Sequence, residues 1–416
     1  MAGYVATLAA WDALLQEDYV QGQIVSAINI ATPFRDTLKR VGMTTGRERL
    51  YAAKVNPSEG VGARQENAQM PPYGAGEYVD VTVRAKYNYA PFKITGQSEE
   101  FGTRKAFVEF ALQILKDTKE GLRLFTGRQC WGDGTGCICA INNGGGYAAG
   151  VSTVTVDAPY GVTWGSLAGN TTFLVRRRMV VQFGAEDNAG QGYSVTSVGT
   201  TSFTFTPALQ NAVADDAAVS ILASANNEIG GALLFAATAS FMTSVLNQGS
   251  GLGTTIYNGI DRALFPEWEG NVVNAGAALS LTLIRTMRDT IYKRTDDEES
   301  NLMIGSTEMA RDYEALLTPA QRFVPATKLE GGHTILEHDG LRFSKDSKAP
   351  IKMLAFFDTK CIAWAQTKDP HWLQDGQGIM RVVPGQDAKE ALLKWYSNLD
   401  CEEPRRQGLL YNVTTS

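Results

Sequence analysis

Histidine is scarce in this chain: His333, His338 and His371 are the only three in 416 residues. His333 and His338 fall in an expected hairpin and not at helical spacing, so neither an H-E-x-x-H metal helix nor any other histidine-based ligand set is present. No G-x-S-x-G elbow precedes an expected helix, which removes a serine hydrolase of that design. Cysteine is equally uninformative for chemistry. The five are Cys130, Cys137, Cys139, Cys361 and Cys401, an odd and irregular set that does not read as a disulfide framework and favours a reducing compartment. Cys130, Cys137 and Cys139 cluster, but a zinc site wants paired C-x-x-C motifs or histidine partners. Excess positive charge is also lacking. Lys and Arg total 38 against 44 Asp and Glu, a net charge of −6, which argues against tight sequence-independent DNA binding while leaving room for a weak local contact. No long apolar run exists; the most apolar stretch, 230–246, is short and interrupted by Thr and Ser, so no membrane span is expected. The first residues lack a basic n-region, so no signal peptide is expected.

What is present is an ordinary globular composition, 44% hydrophobic and 20% charged, on a chain too long for a single ordinary core. The strongest pattern lies at 97–141. Phe107, Phe110, Ala111, Ile114, Leu115, Thr118, Leu122 and Phe125 recur at three- and four-residue steps and predict one long amphipathic helix. Ser98 is its expected N-cap, with Glu99 and Glu100 in the first turn. Such a helix runs for roughly 40 Å at 1.5 Å per residue and needs something equally long to lie on. It ends in Trp131-Gly-Asp-Gly-Thr-Gly136. That run has the composition of a phosphate loop but follows a helix instead of opening one, so it reads as a terminating turn. An apolar strand at 137–141 follows.

The flanks divide into blocks. Residues 1–46 read as an arm with short apolar faces, among them Leu8, Trp11, Leu14 and Leu15, that need another surface to cover them. Residues 47–97 read as a long β-hairpin. Its second arm alternates Val79, Val81, Val83, Ala85, Tyr87 and Tyr89 against polar neighbours, and a Gly- and Pro-rich tip joins the arms. A hairpin of two strands is marginal alone in water and is expected to rest on a neighbour. Strands expected at 151–156, 173–183, 192–198, 202–206 and 217–222 make 151–223 a small barrel or sandwich inserted into the chain. Arg176, Arg177 and Arg178 form a basic triplet within the second of these. Residues 224–366 read as α/β, with a helix over 278–294 burying Ile284, Met287 and Ile291, a strand at 301–305, a helix at 307–317 capped by Ser306, a hairpin at 334–345 and a strand at 353–359. The acidic run Asp296–Glu299 lacks the ligand spacing of a calcium loop. Residues 367–416 hold closing strands and the basic turn Glu403-Pro-Arg405-Arg406.

This order resembles the major capsid protein of tailed bacteriophages, the Hong-Kong-97-like capsid family: arm, long hairpin, long helix with its W-G-D-G-T-G end, α/β region, and the closing stretch ALLKWYSNLDCEEPRRQGLLYNV. The resemblance implies an α+β fold. It assigns 1–46 to an N-terminal arm, 47–97 to an extended loop, and 98–150 to the spine helix and the start of the peripheral domain. It assigns 151–223 to an inserted β-rich domain, 224–366 to an axial α/β domain and 367–416 to return strands of the peripheral domain. It implies self-assembly into hexamers and pentamers of an icosahedral shell enclosing double-stranded DNA, in the virion capsid, after assembly in the host bacterial cytoplasm. Partners implied are further copies of the chain, a separate scaffolding protein (no long charged scaffolding segment is visible), a portal and a decoration protein, with weak non-specific DNA contact and no membrane. No catalytic residue, cofactor or metal is implied. Contacts between copies are expected at Trp11, Tyr51, Arg64, Glu66, Tyr73, Arg84, Arg405 and Arg406. Some relatives join a lysine to an asparagine covalently, for which Lys54, Lys86 or Lys93 and Asn398 are conceivable partners. Two other readings stand beside this one: an encapsulin-type nanocompartment shell, and a ligand- or carbohydrate-binding enzyme with α/β and β-module domains.

Overall fold

Among the described residues three large β-structures and two two-stranded pairs share the chain, together with one long helix. The computed structural model describes residues 32–100, 104–162, 171–184, 190–244, 255–295, 300–317, 327–328, 334–338, 341–374 and 379–414. Trp11 and the other arm residues before Thr32, His333, and the acidic run at 296–299 lie outside the described residues, as do the side chains of Phe107, Phe110 and His338.

The first structure is a six-stranded sheet organised on one strand, Ala388–Cys401. On one side it pairs antiparallel with Lys86–Thr95 along ten positions, from Ala388↔Thr95 to Ser397↔Lys86. It also pairs with Ile362–Gln366, His371–Trp372 and Arg381–Val382, and Lys39–Gly42 adds parallel to Ile362–Gln366. The second is a closed six-stranded barrel. Its strands run in the order Ala218–Ile221, Cys137–Ile141, Thr153–Asp157, Ser202–Thr206, Tyr193–Val198, Val180–Phe183. Aromatic rings fill it, with Phe183 4.9 Å from Phe205 and 5.2 Å from Tyr193. The third is a seven-stranded sheet, ordered Asn271–Asn274, Gly408–Tyr411, Leu354–Phe357, Leu302–Gly305, Leu341–Lys345, Thr334–His338, Thr327–Lys328.

The period-two geometry of strands decides which core each residue of this sheet enters. Leu302, Ile304, Ala355, Phe357 and Leu409 face the central core shared with the barrel and the six-stranded sheet. Their neighbours Met303, Leu354, Phe356 and Leu410 face the opposite way, where helices Leu281–Thr295 and Thr307–Leu317 bring Ile284, Met287, Ile291, Met309 and Tyr313. Both faces are covered, which is why these strands read as continuous apolar runs. The Ser306 hydroxyl accepts a hydrogen bond from the Met309 amide at 3.4 Å, at the start of the second helix.

Several boundaries differ from the sequence reading. The hairpin consists of Glu48–Asn56 and Glu77–Arg84 and ends at Arg84, short of 97. The alternation changes phase just beyond it. Val81, Val83 and Ala85 are buried, and then Asn88 is buried while Tyr87 and Tyr89 are half exposed, because the chain leaves the hairpin and enters the six-stranded sheet. The barrel takes in Cys137–Ile141, ahead of 151, and all five of those residues are buried because one face fills the barrel and the other packs on the body. Gly408–Tyr411 completes the seven-stranded sheet instead of returning to the six-stranded one. The strand expected at 173–183 is confined to Val180–Phe183. Residues 171–179 run as turns, with Arg178 at φ 71°, a left-handed conformation no strand accommodates. The long helix is Arg104–Gln129. Ser98 lies inside the helical stretch Gly96–Glu100 and so does not cap a helix start, and residues 101–103, between this stretch and Arg104, lie outside the described residues.

Candidate assembly interface

The long helix is fixed at its C-terminal end by a buried junction. Cys130 and Trp131 are fully enclosed. The Trp131 indole donates to Asp346 Oδ2 at 3.1 Å, and its ring lies 5.1 Å from Phe34, which in turn stacks on Phe357 at 4.7 Å. Arg128 pairs with Glu228, both side chains being 3% exposed. The glycine turn is part of this junction. Gly134 and Gly136 take φ of +91° and +82°, and a Cβ on Gly136 would collide with the Ser224 carbonyl. The Thr135 carbonyl accepts from the Asn226 amide and the Gly132 carbonyl from the Gly231 amide. The turn's amide donors, which a phosphate would need, are engaged locally: Gly132 donates to the Gln129 carbonyl, Thr135 to the Asp133 carboxylate and Cys137 to the Thr135 hydroxyl.

Half-way along, the helix lies on the six-stranded sheet. Ile114, 5% exposed, packs with Ile94, Phe92, Ala111 and Met380. Leu122 enters the central core. Leu124, which the three- and four-residue pattern left off the apolar face, is also buried, so the helix is covered on more than one side near its end.

The hairpin is anchored at its base and free at its tip. Ala53, Val81 and Val83 join the central core, so the base rests on its own chain. Asp400 is the anchor. Its carboxylate is shut off from solvent and pairs with Arg49, which also reaches Glu402. It accepts a hydrogen bond from the Tyr51 hydroxyl at 3.0 Å and from the Asn258 amide at 3.3 Å. Burial raises the Asp400 carboxyl to about 6, although Arg49 and Tyr51 pull the other way. The same burial, with the Asp400 charge behind it, pushes the Tyr51 phenol far up. At the mouth of the tip Asn56 donates to Glu77 at 2.8 Å. Beyond it residues 57–76 form no strand or helix, and Val61, Met70 and Tyr73 stand 87%, 85% and 107% exposed.

The residues expected at contacts between copies therefore occupy three settings. Arg64, Glu66 and Tyr73 are exposed in the tip. Arg84 is exposed at the hairpin base, 3.2 Å from Glu48. Tyr51 is half-buried in the Asp400 anchor. Arg405 is exposed and 3.4 Å from Glu403, whereas Arg406 turns inward to Glu403 at 2.7 Å and Asp358 at 3.2 Å. The tip residues are not brought together with Arg405 and Arg406 within one chain. Arg49, Asp400 and Glu402, which hold the hairpin, escaped the sequence reading, since nothing local links an arginine near 49 to acids near 400. Asn398, one of the conceivable covalent partners, donates to the Arg84 carbonyl at 2.9 Å and accepts from the Gly230 amide at 3.2 Å. Lys86 donates to the Asn226 carbonyl at 3.0 Å.

Chemistry-bearing clusters are sparse. The five cysteines are free thiols, all buried. Among the described residues no group of His, Cys, Asp or Glu is placed to hold a metal ion, and no helix is long and apolar enough to cross a membrane.

No family model matches the sequence, and no curated protein matches it. Solved structures do match in fold over nearly the whole chain. A chain of the cyanophage A-1(L) capsid asymmetric unit aligns with a TM-score of 0.57 at 12% identity, covering 96% of this chain and 97% of its own. The capsid of the native GTA particle aligns with a TM-score of 0.50 at 11% identity, covering 98% of each chain. The capsid of the empty GTA particle also gives 0.50, at 9% identity and 100% of each chain. The chain has the Hong-Kong-97-like fold of phage capsid subunits.

Proposed function

We propose that this chain is the major capsid protein of a tailed bacteriophage, a structural tile and not an enzyme. Copies assemble into hexamers and pentamers of an icosahedral shell around packaged double-stranded DNA. The observation that carries the reading is end-to-end likeness to a chain of the cyanophage A-1(L) capsid asymmetric unit, with no large segment of either chain left over. In this reading the arm before residue 47 and the hairpin reach neighbouring copies, and Arg104–Gln129 is the spine. The barrel is an insertion, and the seven-stranded sheet with its two helices is the axial part. The exposed tip residues Arg64, Glu66 and Tyr73, together with Arg84 and Arg405, are the proposed contacts, while Tyr51 and Arg406 act inside the tile. Assembly in the host cytoplasm with a scaffolding protein and a portal, and with a decoration protein outside, completes the proposal. Repeated heterologous contacts that close on themselves are what turn such a tile into rings and shells.

The test is purification of the expressed protein, alone and with its candidate scaffolding protein, followed by sedimentation and negative-stain microscopy. Closed shells are expected, and they should hold DNA when isolated from infected cells. Particles that hold a cargo enzyme and no DNA establish the nanocompartment instead. A stable monomer under every assembly condition removes the shell reading and returns the ligand-binding enzyme to the front.

A further inference from the structure

Where the long helix, the barrel and the seven-stranded sheet meet, a cleft of about 240 Å³ is lined by Leu124, Arg128, Phe173, Arg176, Ser347 and Lys348. Each of the three parts contributes one cation: Arg128 from the helix, Arg176 from the turns leading into the barrel strand Val180–Phe183, and Lys348 from the turn after Leu341–Lys345. Among the described residues no carboxylate lines the cleft. The nearby acids are already engaged. Glu228 pairs with Arg128, and Asp346 accepts from the Trp131 indole and from the Lys348 backbone amide at 2.9 Å. Among the described residues the Lys348 ammonium donates to the Ser347 hydroxyl alone, at 2.9 Å. Among the described residues the Arg176 guanidinium has no hydrogen-bond or ion-pair partner.

A partly buried cation that meets like charge and has no counter-ion of its own is costly, because burial strips away the water that would screen it, and Arg176 is in that position. Burial and then the Arg128 charge lower the Arg176 guanidinium; burial, and in turn Arg176, lower the Lys348 ammonium, against the pull of Asp346. A multivalent oxyanion relieves this. It accepts charge-assisted hydrogen bonds from a guanidinium fork and an ammonium at once. The volume equals several water molecules at roughly 30 Å³ each, enough for a tetrahedral anion and too little for a folded partner.

We propose that this cleft is a phosphate-group site, in which an oxyanion held by Arg176 and Lys348, with Arg128 behind them, clamps the barrel and the seven-stranded sheet onto the end of the long helix. The site stands apart from the shell reading, and its test needs no assembled particle.

Purified protein is titrated with inorganic phosphate at constant ionic strength balanced by chloride, following thermal unfolding and calorimetric heat. Wild type should gain thermal stability with phosphate and not with chloride. Arg176→Gln and Lys348→Gln should each weaken phosphate binding by about tenfold or more. Arg176→Gln should also unfold at a higher temperature than wild type in chloride, since it removes a buried cation that meets only repulsion, whereas Lys348→Gln should not, because Lys348 is also drawn to Asp346. Arg176→Lys should retain binding, which separates loss of the site from loss of the fold. Lys345→Gln, at an exposed strand end, should behave as wild type. A duplex oligonucleotide that competes with phosphate identifies a nucleic-acid backbone as the source; phosphate binding without such competition identifies the free ion. Equal stabilisation by phosphate and chloride, or variants that respond to phosphate as wild type does, overturns the site.

Discussion

The buried charge pairs Arg128–Glu228 and Arg49–Asp400 differ in what removing one partner does. Arg128 and Glu228 are almost wholly enclosed, so Arg128→Ala leaves a carboxylate with no counter-charge. We expect a loss of about 3–5 kcal/mol, read by denaturant unfolding, and a much smaller loss for the double change Arg128→Met with Glu228→Leu, which leaves no orphan. Equal losses in the two variants would show that packing, and not charge, carries the pair. Asp400 behaves otherwise, because burial lifts its carboxyl to about 6 in spite of Arg49. A carboxyl raised in the folded state binds its proton more tightly there than in the unfolded chain, where the ordinary value is about 3.9. Its contribution is complete below that value and is lost as pH rises through about 6. Asp157, raised to about 6 by burial and by Asp216 and Asp215 beside it, has the same sign. Relative to wild type, Asp400→Asn and Asp157→Asn should therefore gain ground as pH climbs from about 4 to about 6. Urea midpoints measured across that window check this, and pH-independent differences would place both carboxyls in the ordinary range.

At the level of elements, the long helix offers a direct comparison of two neighbouring positions. Ile114 is buried against Ile94 and Phe92, whereas Lys116 is exposed. Ile114→Asp places an unpaired charge in an apolar seam and should abolish folding; Lys116→Glu should change stability by no more than about 0.5 kcal/mol. Circular dichroism and unfolding of the two variants decide it, and similar effects would mean the helix is turned the other way. The three- and four-residue repeat made this face legible, as period two and apolar runs made the strands legible at 302–305, 354–357 and 408–411. The same rules failed where a strand passes from one structure to another. Ala85, Tyr87 and Asn88 read as one unbroken alternation, yet the burial phase shifts there because the strand exchanges the hairpin for the six-stranded sheet, and alternation carries no record of which partner lies alongside. Cys137–Ile141 likewise looked like a strand without declaring itself part of a barrel. The turns at 171–179 hid inside an apolar, arginine-bearing run whose left-handed residue is an arginine and not a glycine. The Arg49–Asp400 anchor was invisible for a different reason: it joins residues far apart in sequence, and ion pairs leave no periodic trace.

For the whole molecule, the decisive question is what the hairpin tip is for. Residues 57–76 form no regular structure and present Val61, Met70 and Tyr73 almost fully to solvent. The base beneath them is secured by the central core and by Asp400. An isolated chain gains nothing from such a tip, since loop closure costs slightly more as a loop lengthens and apolar side chains in water contribute no burial. Replacing 57–76 by Asn-Gly, which suits a two-residue turn between antiparallel strands, should therefore leave the unfolding midpoint unchanged or slightly raised. If the tip is a contact between copies, the same variant should remain a soluble monomer or small oligomer under conditions in which the full chain closes into shells. Sedimentation and microscopy on the two proteins side by side provide the check. Shells of normal size from the shortened protein would free the tip from assembly and leave the contacts to the arm and the Arg405 turn. A shortened protein that fails to fold would instead place the tip among the elements that stabilise the fold, contrary to its exposure.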